Sequence, residues 1–388
     1  MNLVIDPPKE SAISISPNDR ASVLNKVREI SQTDLAAIVE ACDQEGFYPE
    51  AVLKKLGQAG AFSAHLDVDG ENDYGLAIQC MSEVSRVCGS TGFMVWCQDA
   101  CGLYIESSGN SLLMNDLLAS HGSGQTLGGT GLSNPMKALT GIETMYLKAE
   151  KIDGGYLVNG TLPWVSNLGQ KHYFGTICNV IDSATKEPMP GHELMFMLHC
   201  DAPGVELKEC PSFSGMEGTG TYAISVKNLL ITEDKIIAKS VGSLLKKIKS
   251  AFILLQTGMG LGVTQGAIDS MWKVEKQLGH VNQYLEDRPD ELQQELDDLT
   301  DNIMELSKTP YDDSKEYFIR VLDARLHASE LALRSAQSAL MHQGARGYLM
   351  CSEVQRRVRE SHFVAIVTPA IKHLRWELAS QKAELSPA

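Results

Sequence analysis

Three short constellations in the sequence carry residue types that could hold a flat, polar-edged ligand. The first is Gly128-Gly129-Thr130-Gly131-Leu132-Ser133-Asn134-Pro135. Its glycines leave backbone N–H groups open to close approach, and Thr130 and Ser133 add hydroxyls that both donate and accept. On composition alone, an ordinary turn joining two domains reads the same way. The second is Trp164-Val165-Ser166-Asn167, straight after Gly155-Tyr156-Leu157-Val158-Asn159-Gly160. An indole beside a small hydroxyl suits a planar ring with heteroatoms at its edge, and it equally suits core packing. The third is Gln343-Gly344-Ala345-Arg346-Gly347-Tyr348, where glycine also reads as a routine helix C-terminus.

Other chemistries lack their residues. No GxGxxG opens a βαβ unit, and there is no P-loop, HExxH or GxSxG. His192 and His199 flank a predicted strand at a spacing that points them to opposite faces, so they are not expected to share a metal. The nine cysteines form no CxxC; Cys97 and Cys101 stand one helical turn apart, and the pattern reads as reduced thiols in a cytoplasmic protein. A net charge of −15 argues against a nucleic-acid face. Lys246, Lys247 and Lys249 read as the solvated start of a helix. The opening stretch has no basic region followed by an apolar run, so no secretory leader is expected, and no long uninterrupted apolar run suggests a membrane span.

The elements that must position these constellations follow from periodicity. From about Ser22 to His121 the apolar spacing is helical, as in Leu24, Val27, Ile30, Leu35, Ile38 and Val39, with Gly46 ending the run and a break near Gly89. From about Gln125 to Ile236 short alternating runs predict strands. Turns are expected at Asp153-Gly154-Gly155, Asn159-Gly160, Pro188–Gly191 and Pro203-Gly204. After Lys239 helices return: one over Phe252–Leu278, an acidic one after Asp287, an Ala/Leu-rich one through Gln343, and a last one from Cys351 into Trp376. The fold class is therefore α+β. A helical domain (1–124) is followed by an antiparallel β domain (125–238) and a C-terminal four-helix bundle (239–388).

In this order and spacing the pieces resemble the acyl-CoA dehydrogenase superfamily over nearly the whole chain. Carrying the resemblance are the turn into the β segment, GYLVNG followed by WVSN, GMEGTGTY leading to VKNLLITEDKII, and the glycine turn before a basic helix. The resemblance implies a flavin, normally FAD, between the β domain and the bundle, with FMN or a reduced flavin as alternatives. Thr130 and Ser133 would line the flavin, Trp164 and Ser166 would contact its ring system, and Gln343 and Gly344 would approach the cofactor of a neighbouring subunit. It further implies a homodimer or homotetramer and a small-molecule substrate, an acyl thioester among the candidates.

The departures bear on the reaction. The family's usual carboxylate base falls at Thr368 and its other base position near Phe252, and neither is an acid. The pyrophosphate-gripping Arg-x-x-Phe-Gly is replaced by Leu278-Gly279-His280-Val281-Asn282, and the Arg expected near Phe252 or Ile253 is missing. Arg359 does match. No catalytic residue is assigned; Glu353 and Glu360 are considered as recruited bases but are expected on a solvated helix face. Three readings stay open: a dehydrogenase-like flavin oxidoreductase, a reduced-flavin-dependent monooxygenase, and a non-catalytic descendant of the fold.

Overall fold

The computed structural model describes residues 20–67 and 72–385; the stretch read for a leader lies outside them. Helices α1 (Arg20–Ile30), α2 (Val39–Gln44), α3 (Glu50–Gln58), α4 (Tyr74–Val87), α5 (Gly89–Ser107) and α6 (Ser111–Gly122) come first. A π turn at Ser31–Leu35 interrupts the predicted first helix, beside buried Ser31, whose hydroxyl bonds back to the Val27 carbonyl at 2.8 Å. Asp73 and Asn110 accept the first free N–H groups of α4 and α6. The α4–α5 break falls at Cys88, where extended backbone separates two helices buried along most of their length.

Eight strands follow, β1 (Gly128–Thr130), β2 (Lys148–Ile152), β3 (Gly155–Val165), β4 (Tyr173–Ile181), β5 (Pro188–His199), β6 (Val205–Glu209), β7 (Tyr222–Ile231) and β8 (Ile236–Ala238), with a short helix, α7 (Ser133–Leu139), after the first. They form one sheet, seven of them in the order β6-β7-β3-β2-β4-β5-β8 and β1 joined beside this path to β4. The pairings are antiparallel except for β1–β4 and β2–β4. Both of those parallel partners use the same edge of β4: β1 lies against Tyr173–Gly175 and β2 against Asn179–Ile181.

Two expected turns are not turns. Asn159-Gly160 sits inside β3, where a register shift against β7 marks a bulge; Gly160 has φ +140°, and a Cβ there would lie 2.3 Å from the Tyr146 carbonyl oxygen. Pro188–Gly191 belongs to β5. Nearby chain thus absorbs the glycine and proline signals without reversing direction.

The last segment contains α8 (Val241–Leu255), α9 (Thr257–Asn282), α10 (Pro289–Leu306), α11 (Lys315–Gln343), α12 (Glu353–Ile366) and α13 (Ile371–Leu385). The long apolar helix expected after Lys239 is two helices meeting at Gln256. The expected final helix is also two, because Pro369 cannot extend α12. α9, α10, α11 and α12 pack along one another, and α4 lies on α9. Most of the apolar run through α8 and α9, long enough by composition to cross a membrane, is buried inside this assembly.

Alternation along β4 and β5 supplies two cores. Phe174, Cys178, Leu194, Phe196 and Leu198 face a cluster made of residues from the strands and the turns that join them, with no helix contributing. Tyr173, Ile177, Met195 and Met197 face the other way, into a single cluster shared by the helices before and after the sheet. That second face sets the sheet against α5.

Candidate functional site

The site is built around Gln98, fully buried in α5. Its Oε1 accepts from the Gly128 N–H at 2.8 Å, and its Nε2 donates to the carbonyls of His121 (3.1 Å) and Thr126 (3.0 Å). Asn167, with φ +63°, completes the hub: its Nδ2 donates to the Gly128 carbonyl at 2.7 Å, and its Oδ1 accepts from the Tyr48 hydroxyl at 2.7 Å. A single neutral amide in α5 thereby fixes both β1 and the turn after β3. Sequence reasoning missed Gln98; the available signal was a polar pair, Gln98-Asp99, inside an otherwise apolar helix.

The Gly-rich stretch is half strand and half helix rather than a loop. Its glycines serve packing: a Cβ on Gly129 would lie 2.2 Å from the Ser166 carbonyl oxygen. The Gly128 N–H is taken by Gln98 and the Gly131 N–H by the Gly175 carbonyl at 2.8 Å, so those two are not open to a ligand as expected. The hydroxyls are what this stretch offers. Thr130 Oγ1 lies 2.9 Å from the Tyr104 hydroxyl, and Ser133 Oγ lies 3.2 Å from Thr368 Oγ1.

Beside it, Trp164 stands at the end of β3 with its side chain 54% exposed, and Ser166 Oγ lies 2.6 Å from Thr221 Oγ1. Thr221 in turn meets Thr219 Oγ1 at 2.8 Å. The close approach of Gly129 to Ser166 brings Thr130, Ser133, Trp164 and Ser166 into one neighbourhood. Gln343 and Gly344 stand elsewhere, at the end of α11: Gln343 Nε2 donates to the Ser270 carbonyl at 3.0 Å, and Gly344 adopts φ +62° as the helix terminator.

Thr368 is held from behind. Gln256, at the α8–α9 junction, donates from Nε2 to the Thr368 carbonyl at 2.9 Å and accepts at Oε1 from Arg325 Nε at 3.0 Å. Arg325 is fully buried and also donates to the Val364 carbonyl at 2.9 Å and to Ser329 Oγ. Burial without a carboxylate partner lowers its pKa to about 10.

Of the two recruited-base candidates, only Glu360 departs from the solvated helix face expected for both. Glu360 is not on a solvated face: it is 2% exposed, and its Oε1 accepts from the Gly89 N–H at 2.8 Å at the start of α5, where helix polarity favours a carboxylate. Its role is to cap that helix. Glu353 is partly exposed, and its carboxylate binds Lys273 Nζ at 2.8 Å and Ser270 Oγ at 2.7 Å. Phe252 is 4% exposed and belongs to a chain of rings. It meets Trp96 at 5.2 Å between centroids and Tyr104 at 6.1 Å; Phe93 meets Trp96 at 5.8 Å and Phe363 at 4.6 Å.

Among the described residues no group of His, Cys, Asp or Glu is arranged to hold a metal, and all nine cysteines are free thiols. What remains are the hydroxyls of Thr130, Ser133 and Ser166 and the exposed ring of Trp164, groups able to stack on a planar molecule and donate hydrogen bonds to its edge. Neither Phe252 nor Thr368 is a carboxylate able to take a proton from carbon.

Comparison with known proteins bears on this arrangement. Residues 17–125 match the family model described as acyl-CoA dehydrogenase, N-terminal domain. A probable acyl-CoA dehydrogenase of Bacillus subtilis is 23% identical, with 90% of this chain and 93% of the relative aligned. Benzylmalonyl-CoA dehydrogenase of Aromatoleum aromaticum is 21% identical over 90% of this chain and 94% of the relative. Butyryl-CoA dehydrogenase from Megasphaera elsdenii superposes with a TM-score of 0.82 at 16% identity, covering 96% of this chain and 100% of that one. Dibenzothiophene monooxygenase from Paenibacillus sp. A11-2 superposes with a TM-score of 0.79 at 13% identity, covering 95% and 98%. These two superpositions establish the architecture.

Proposed function

We propose that this chain is a flavin-dependent oxidoreductase of the acyl-CoA dehydrogenase superfamily, working without the family's carboxylate base. FAD is the cofactor this reading names. The residues fit it: Thr130 and Ser133 offer hydroxyls to the edge of a ring system, Trp164 offers an exposed indole face on a rigid strand, and Ser166 a further hydroxyl. A bound flavin would supply either a hydride acceptor or, delivered reduced, the means of activating oxygen. Gln343 and Gly344 are assigned to the cofactor of a second copy. The exposed Trp272, Tyr284, Met341, Tyr348, Leu349 and Met350, on or just after α9 and α11, support a homodimer or homotetramer. Nine free thiols support a reducing, cytoplasmic setting.

The observation that carries the reading is the 3.2 Å contact between Ser133 and Thr368. A threonine hydroxyl bonded to a serine hydroxyl does not remove a proton from carbon near neutral pH, because neither oxygen has a basic partner. The chain's own groups bind, orient and exclude water; they hold no proton acceptor at this point. The ring chain around Phe252 favours a second, more specific reading, a reduced-flavin-dependent monooxygenase, whose chemistry calls for a dry pocket and no such base.

Visible absorbance during titration with FAD, FMN and their reduced forms tests the proposal. Binding of FAD with no bleaching by butyryl-CoA under anaerobic conditions is expected. Oxygen uptake dependent on NAD(P)H and an added flavin reductase would select the monooxygenase reading, and bleaching by butyryl-CoA the dehydrogenase reading. Failure to bind any flavin form overturns both and leaves a non-catalytic descendant.

A further inference from the structure

The ring chain has a feature that ordinary core packing does not require. Trp96 is 3% exposed, and its indole Nε1 has no hydrogen-bond partner. A buried indole N–H normally finds an acceptor, since leaving one unpaired costs about 1–3 kcal/mol. Around it stand Phe93, Phe252 and Phe363, contributed by α5, α8 and α12, all three of which converge on Thr368 or on the hub at Gln98. Tyr104 ends the chain, its hydroxyl already committed to Thr130. Its apolar edge thus runs up to the cofactor-facing hydroxyls, with one unspent donor in the middle.

We propose that the reacting part of the substrate is a flat, neutral aromatic ring system bearing one hydrogen-bond acceptor, which inserts among Phe93, Trp96, Phe252 and Phe363 and takes the Trp96 N–H. The inference rests on the flavin oxidoreductase reading and narrows its substrate class. A ring entering this cluster has to part side chains whose centroids lie 4.6–5.8 Å apart, and edge-to-face contacts with the ligand offset part of that cost. A flexible acyl chain restores none of them. No charged group is among these side chains, so a neutral ligand meets no unpaired charge. The acceptor on the ligand is required for a different reason: it satisfies a donor that the free protein leaves unpaired.

Quinoline and naphthalene separate the two contributions, being nearly the same shape and differing by one ring nitrogen. Equilibrium dialysis measures their binding to the whole protein, wild type and Trp96→Phe, at pH 8. The expected result is that the substitution weakens quinoline about tenfold and leaves naphthalene within about twofold. Phe252→Leu, which removes a ring and no donor, is expected to weaken both ligands by the same factor and so guards against a Trp96 variant that misfolds. Equal effects of Trp96→Phe on both ligands, or no binding of either by the wild type, overturn the proposal. FAD binding is read separately by absorbance. A protein that discriminates quinoline as expected but binds no flavin defeats the reading of function alone; one that binds FAD but neither ring defeats this inference alone.

Discussion

Two neighbouring residues of α5, about 100° apart around one helix, are treated in opposite ways. Gln98 spends its amide on β1 and on the carbonyls of His121 and Thr126, and every bond is made. Asp99 is equally buried, and neither of its carboxyl oxygens has a hydrogen-bond partner. Each has a histidine beside it. His121 Nε2 meets the Gln98 carbonyl at 2.7 Å, and His65 Nε2 meets the Asp99 carbonyl at 2.8 Å. His65 Nδ1 lies 3.8 Å from Asp99 Oδ1, and burial opposes charge on both, pushing the Asp99 pKa well up and that of His65 down to about 3. The face toward the sheet is a finished scaffold for the site. The face toward α4 pays an ionisation cost that the scaffold does not need.

The largest break in this comparison comes from Gln98→Met, which conserves shape and strands the Gly128 N–H and two carbonyls. It should cost about 5 kcal/mol in urea unfolding and abolish flavin binding even where the protein remains folded. If flavin binding survives, β1 does not depend on the hub.

Asp99→Asn should act in the opposite direction and raise stability at pH 8 by about 2 kcal/mol or more. The folded pKa is raised, so the native state holds a proton that the unfolded chain releases above the ordinary carboxyl range. The penalty therefore grows with pH and disappears as the pH falls toward 4. Unfolding curves at pH 8 and pH 4 should show the variant's advantage at the first and none at the second. An advantage independent of pH would mean that the gain is packing.

The histidines sharpen the contrast with a smaller effect. Burial lowers His121 to about 4 and His65 to about 3, so below the ordinary histidine range the unfolded chain binds protons that the native one refuses. Each should cost about 1.4 kcal/mol per pH unit below 6.5, until its folded pKa is reached, while Asp99 recovers up to a similar amount. Wild type should therefore lose stability slowly between pH 6.5 and 5, and His121→Asn should flatten the curve. An unchanged slope in that variant would place the acid sensitivity elsewhere.

How far such features can be read in advance depends on the distance over which they act. The order of helices and strands is local and was legible, as was the buried α5. The proximity of Ser133 to Thr368 joins residues 235 apart in sequence, and nothing in either neighbourhood announces it. Glu360 looks like any acid on a basic helix; only the packing of α12 on the start of α5 makes it a cap. Asn159-Gly160 has the composition of a hairpin turn, but a strand on each side of β3 holds it extended through a bulge. Propensity fixed the residue types there, and sheet pairing decided their use.

The shared edge of β4 has a bearing on how such a protein changes over time. Residues 131–147 leave that edge after Thr130 and return to it at Lys148, anchored by Gly131 N–H to the Gly175 carbonyl and by Asn179 N–H to the Leu147 carbonyl. They carry α7, and with it Ser133. This excursion is closed at both ends on one strand, so its length and content can be altered without moving any other strand. The group that confronts Thr368 is thus mounted on an exchangeable cassette, and Thr368 itself sits in the turn between α12 and α13. Both halves of the Ser133–Thr368 pair lie where evolution can revise them while leaving the frame intact.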